Sequence, residues 1–383
     1  MSFQRATIAA QAAGQINHAT GGVVGPLETS TTFVRDGNYA PPPSGDIYRR
    51  DDNVTVREAE TVIAALEGGA GATLFPSGLA AMAALMRAAP DGPIFLQRHA
   101  YYGSEGLATR LFGDAGRLIL FDGDDMETLA TMAAVERPSL ILAETPSNPF
   151  LTVVPIATIA EIARGVGATL AIDSTAATPI LTRPLSLGAD IVLHSATKAL
   201  NGHSDVLAGV LVTGETVSPL YERARAGRSI DGAVPSPFDA WQLTRGMRTV
   251  HLRVAAASQS ALHVASVLEA HDGVEVVNYP GLPSHPQHSV AAAQMEGGFG
   301  GLLSFHVVGG SAAALAMVAR LKLIHPATSL GGVESLIEHR ASIEPESRGI
   351  PPGLLRLSVG IEAVGDLIDD LLGALDGLHH KAA

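Results

Sequence analysis

A lysine preceded by two hydroxyls, in His194-Ser195-Ala196-Thr197-Lys198, follows directly on the apolar run Asp190-Ile191-Val192-Leu193. That run reads as a buried strand, so Lys198 emerges on the loop at its carboxyl end. Upstream, a second apolar run, Thr169-Leu170-Ala171-Ile172, ends in the carboxylate of Asp173. An amine, an acid and hydroxyl donors delivered by two strand ends suit covalent catalysis: the amine condenses with a carbonyl, the acid holds a proton on a ring nitrogen, and the hydroxyls receive an anion.

Two other stretches extend the set. In Phe75-Pro76-Ser77-Gly78-Leu79-Ala80-Ala81-Met82 the glycine permits close approach of the chain, and the alanine-rich run starts a helix whose amino end attracts an anion. Alone, such a Ser-Gly is an ordinary helix cap. Arg356 sits inside the apolar run Leu354-Leu355-Arg356-Leu357-Ser358-Val359, where burying an arginine is costly unless it binds something; a planar guanidinium suits a substrate carboxylate. A lysine, an acid for a pyridinium nitrogen and donors for a phosphate are together what pyridoxal phosphate chemistry requires.

His194-Ser195-Ala196-Thr197-Lys198-Ala199-Leu200-Asn201-Gly202-His203-Ser204-Asp205, preceded by Ile172-Asp173-Ser174-Thr175-Ala176-Ala177-Thr178-Pro179, resembles the pyridoxal phosphate (PLP) enzymes of cysteine and methionine metabolism, the trans-sulfuration family. The resemblance runs from roughly Thr20 to Glu362. It implies a fold type I enzyme with pyridoxal 5'-phosphate linked to Lys198, which also removes the Cα proton. It further implies Asp173 on the ring nitrogen, with Ser195, Thr197 and the amides of Gly78 and Leu79 on the phosphate. Tyr102, in His99-Ala100-Tyr101-Tyr102-Gly103, matches the family tyrosine that stacks on the cofactor and assists proton transfer; Tyr101 competes for that role, and the glycine that follows decides for Tyr102. Asn148 takes the position on the ring 3'-oxygen, beside the substrate. Arg356 and Ser329 hold the substrate carboxylate. Tyr48 and Arg50, in a segment similar to the family's Tyr-x-Arg-x-x-Asn-Pro-Thr with Val54 for the proline, are implied to reach the phosphate of a neighbouring subunit, so that the active site is shared across a dimer within a homotetramer. Glu28 and Thr328 depart from common family residues near the distal substrate group. The implied activity is a carbon-sulfur lyase acting on L-cystathionine or a related sulfur amino acid. The alternative is a cystathionine gamma-synthase or homoserine sulfhydrylase performing γ-replacement on acylated homoserine. A catalytically silent relative is opposed by the intact set Tyr102, Asp173, Lys198 and Arg356.

The elements that must position these residues follow from the pattern. From about Thr55 to Gly214 short apolar runs alternate with helix-like segments, which predicts an α/β domain with a large, mainly parallel sheet and helices on both faces. Residues 1–52 carry little periodicity and read as an extended arm contacting a neighbouring subunit; 53–237 form the cofactor-binding domain. Residues 238–383 form a smaller α+β C-terminal domain that opens with one long linking helix over about 238–270. The 383 residues and their 46% hydrophobic content suffice for both. With 38 acidic against 25 basic residues and no basic stripe, no nucleic-acid partner is expected. No cysteine is present, which excludes disulfides and a thiol nucleophile. The histidines lack a compact ligand spacing, so no metal is expected, and no GxGxxG follows the first strand as a nicotinamide fold would have. No apolar run reaches membrane length and no secretory signal opens the chain, so the expected location is cytoplasmic, with a small-molecule amino acid as substrate.

Overall fold

In the computed structural model, which describes residues 3–214 and 218–379, the alternating segments build one seven-stranded sheet. Its strands are β1 (Gly71–Phe75), β2 (Ile94–Gln97), β3 (Leu118–Phe121), β4 (Leu140–Glu144), β5 (Thr169–Asp173), β6 (Ile191–His194) and β7 (Gly209–Thr213), in the spatial order β1-β7-β6-β5-β4-β2-β3. Only β7 runs antiparallel to its neighbours. Every residue of β2, β4, β6 and β7 is buried, as strands covered on both faces must be. Alternation divides each strand between two cores. Leu140 and Leu142 pack with Phe75, Met82 and Leu193 on one face, and Ile141 and Ala143 with Phe95, Ile159 and Ile172 on the other.

The arm carries a short helix, α1 (Arg5–Ala10), and then neither helix nor strand, apart from one helical turn at Ala12–Gly14, until α2 (Val54–Glu67). Asn53 starts α2 by accepting the N–H groups of Thr55 at 3.0 Å and Val56 at 3.3 Å, and its Nδ2 donates to the Glu28 carbonyl at 3.0 Å, tying the arm to the helix. Gly68, at φ +71°, ends it in the left-handed conformation that glycine adopts freely. Next come α3 (Gly78–Ala88), capped by Ser77, and α4 (Tyr102–Phe112).

A second sheet follows, of β8 (Val274–Asn278), β9 (Leu302–Val307), β10 (His325–Pro326), β11 (Leu336–His339) and β12 (Leu354–Ser358), in the order β10-β11-β12-β9-β8. It packs in one core with the helices Val250–Glu269 and Val364–His379. The single helix expected over about 238–270 is instead two, Pro237–Met247 and Val250–Glu269. Between them Arg253 donates to the Gly246 carbonyl at 2.7 Å, in place of the helical bond that a continuous helix would make there.

Parallel pairing sets the carboxyl ends of β4, β5 and β6 side by side, with Glu144 opposite Asp173 and Asp173 opposite Leu193. Chain leaving the ends of adjacent parallel strands forms the crevice where α/β proteins hold ligands.

Candidate active site

A cavity of about 220 Å³ opens at that crevice. Gly78, Leu79, Tyr102, Asn148, Asp173, Ser195, Thr197, Lys198, Ser329 and Arg356 all line it. Of the residues singled out in the sequence, Tyr48 and Arg50 lie elsewhere. Both are exposed, with the Arg50 guanidinium 5.2 Å from the centre of its own Tyr48 ring. Glu28 also lies outside; its carboxylate accepts the Ser30 N–H at 2.7 Å.

Lys198 points its amine at Ser329, donating to Oγ at 2.9 Å. Burial, and next the nearby charge of Arg356, push the amine down to about 8, so a neutral, nucleophilic form is within reach near neutral pH. Ser329 is held at φ +143°, a strained backbone for a residue with a side chain, and it serves two partners at once. Its hydroxyl meets Lys198, and its carbonyl accepts Arg356 Nη2 at 2.8 Å.

Arg356 is buried, and burial lowers its guanidinium to about 10. Its Nη2 also faces Glu338 at 2.8 Å, Nη1 reaches Asn148 Oδ1 only at 3.4 Å, and Nε has no partner among the described residues. A buried N–H left unpaired is costly, and a carboxylate entering the cavity would satisfy it.

Asp173 is buried and raised above the usual carboxylate range, chiefly by burial. Its Oδ1 accepts both the N–H of Thr175 at 3.0 Å and the Thr175 hydroxyl at 2.5 Å, while that hydroxyl accepts the N–H of Ser195 at 2.8 Å. Thr175 therefore ties the strand-end acid to the lysine loop. Thr197 turns its hydroxyl to the backbone of Ala208, donating to the carbonyl at 3.1 Å and accepting the N–H at 2.9 Å, so it braces the loop from the cavity wall.

Thr175, Glu144, Tyr101 and Arg340 are among the wall residues that the motifs did not assign to the site. Glu144 accepts the N–H of Tyr101 at 2.5 Å through one oxygen and that of Asn148 at 2.9 Å through the other, clamping two loops together. Burial, then the charge of Asp173, lift it to about 8. Its signal was the one that marked Asp173, a carboxylate closing an apolar run. Tyr101 and Tyr102 meet edge to face at 4.8 Å, and burial followed by Tyr102 raises the Tyr101 phenol to about 12. Arg340 had no sequence signal.

The wall fits pyridoxal phosphate on three counts. Asp173 has no cationic side chain paired with it among the described residues, which suits a protonated ring nitrogen. A Cβ on Gly78 would stand 2.9 Å from that of Ser195, so the glycine lets the start of α3 and the lysine loop close together as a cradle for an anion. The amine of depressed pKa lies in the same cavity.

The model of the Cys/Met metabolism PLP-dependent enzyme family matches residues 6–376. Cystathionine gamma-lyase of Dictyostelium discoideum is 40% identical, covering 93% of this chain and 94% of its own. Cystathionine gamma-synthase of Mycobacterium tuberculosis is 41% identical over 97% of this chain and 96% of its own. Among solved structures, cystathionine gamma-synthase of Xanthomonas oryzae in complex with cystathionine superposes with a TM-score of 0.93 at 38% identity, covering 99% of this chain and 100% of that one.

Proposed function

The chain belongs to the Cys/Met metabolism PLP-dependent enzymes, and on that premise we propose that it is a carbon-sulfur lyase eliminating a thiol from L-cystathionine or a related sulfur amino acid. Its architecture is fold type I, its cofactor is pyridoxal phosphate and its substrates are small amino acids. The observation that supports abstraction of a proton from an amino acid's Cα, the step that elimination and replacement share, is the convergence on Ser329 of the Lys198 amine and the Arg356 guanidinium, which puts a base and a carboxylate anchor on one cavity wall.

When bound, pyridoxal phosphate supplies an aldehyde that accepts amines and a ring that draws electrons from the bonds to Cα. Arg356 would hold the substrate carboxylate, with Nε as its free donor and Ser329 and Asn148 beside it. Lys198, its amine free, would take the Cα proton. Asp173 keeps a proton on the ring nitrogen. Ser195, Thr197 and the amides of Gly78 and Leu79 would hold the phosphate, Thr197 also bracing their loop through Ala208. Tyr102, on the cavity wall, would give a proton to the departing sulfur, while Glu144 fixes Tyr101 and Asn148 at either side. γ-Elimination would add a deprotonation at Cβ, which Lys198 could perform only after handing on the proton taken from Cα.

Three units serve this work: the arm 1–52, the cofactor domain 53–237 and the small domain 238–383. Tyr48 and Arg50 are assigned to the phosphate of a neighbouring subunit, in a homotetramer built of two dimers that share their sites. A second reading, γ-replacement on acylated homoserine, is favoured by gamma-synthases standing as near to this chain as the gamma-lyases do.

The test is incubation of the cofactor-loaded protein with L-cystathionine alone. Release of pyruvate signifies β-elimination and 2-oxobutyrate γ-elimination. Release of neither, with product formed only from acylated homoserine plus cysteine or sulfide, overturns the lyase reading in favour of replacement.

A further inference from the structure

Arg340 is a fully buried guanidinium, 1% exposed, on the wall of the active-site cavity. It stands two residues beyond Glu338, which antiparallel pairing of β11 with β12 places opposite Arg356. The Glu338 carboxylate is shared. One oxygen, Oε2, faces both Arg356 Nη2 at 2.8 Å and Arg340 Nη1, and the other accepts the Thr328 hydroxyl.

Arg340 is fixed from its other side. Its Nε and Nη2 donate to Glu344 Oε1 at 3.0 and 2.5 Å, and its guanidinium carbon lies 5.7 Å from the centre of the Tyr102 ring. Glu344 in turn accepts Arg348 Nε at 2.6 Å. Arg348 grips the start of α4, through the Ala100 carbonyl at 2.6 Å and the Glu105 carboxylate. Arg340 is thus an immobile cation, and Glu344 would retain Arg348 if Arg340 were removed.

A buried carboxylate 2.8 Å from Arg356 competes with any substrate carboxylate for that guanidinium. A second fixed cation on the same oxygen weakens the competition. We propose that Arg340 is a positioning residue for substrate: by sharing Glu338 it leaves Arg356 free to bind the amino-acid carboxylate. The inference rests on Arg356 being the carboxylate anchor, whichever sulfur chemistry follows.

The measurement is the ratio of affinities for glycine and for methylamine, which differ by the carboxylate and have no leaving group. It is made by calorimetric titration of the cofactor-loaded protein. Arg340→Met is expected to lower that ratio at least about tenfold, the scale of one buried charge-assisted hydrogen bond. The double variant Arg340→Met/Glu338→Gln is expected to recover most of it, and KM for the turned-over substrate should rise and fall with the ratio. A ratio unchanged in Arg340→Met, or lowered and not relieved by Glu338→Gln, overturns the proposal. If Arg340→Met does not fold, Glu338→Gln alone decides: the ratio should rise, and a ratio that holds or falls is contrary. A wild-type protein that binds glycine no better than methylamine removes the Arg356 anchor itself and the proposal with it. Failure of the lyase reading alone leaves the ratio as expected.

Discussion

The role proposed for Lys198 rests on where it is buried. In water a lysine amine titrates near 10.4; here burial and Arg356 bring it to about 8. A base must be unprotonated to take the Cα proton, so kcat is expected to rise with pH through about 8 and to fall below it, which a pH–rate profile at saturating substrate checks. Lys198→Ala should lower kcat by at least about 10³-fold with circular dichroism unchanged, and retention of most activity would contradict the assignment. At this scale the site was legible wherever its residues stand in contiguous motifs, as Ser195, Thr197 and Lys198 do. Arg340 was not, because it reaches the cavity only through the pairing of β11 with β12, and charge in a sequence does not reveal which carboxylate it will share.

Among the elements, the strand ends do the positioning. The apolar runs that became β4, β5 and β6 were readable from composition and length, and so was the parallel sheet they form. The break between the helices Pro237–Met247 and Val250–Glu269 was not, since Arg248 and Thr249 carry no proline or glycine signal and the interruption depends on the buried Arg253 bonding across it. Close packing of α3 on the sheet is equally specific. A Cβ on Gly209, at the start of β7, would lie 2.2 Å from the Ser77 carbonyl oxygen and 2.6 Å from Gly78 Cα. Gly209→Ala is therefore expected to destabilise the fold by about 1–3 kcal/mol, read by urea denaturation, and to loosen cofactor retention by shifting the cradle. An alanine variant of wild-type stability and cofactor affinity would show that the approach is not tight.

For the whole molecule, Tyr48 and Arg50 lie exposed and outside their own chain's cavity, while all the other residues assigned to the site line it. If they serve a neighbour's site, subunit exchange between Lys198→Ala and Tyr48→Phe/Arg50→Ala proteins should restore activity, because one site of each mixed dimer then has no lesion. Mixtures no more active than their components would contradict sharing. The composition of the chain also makes the main claim unusually open to test, for it contains only three lysines: Lys198, Lys322 and Lys381. Reduction of the cofactor-loaded protein with borohydride, digestion and mass mapping of the pyridoxyl group should place it on the peptide bearing Lys198. A label on Lys322 or Lys381, or on none of the three, would contradict the active site described above.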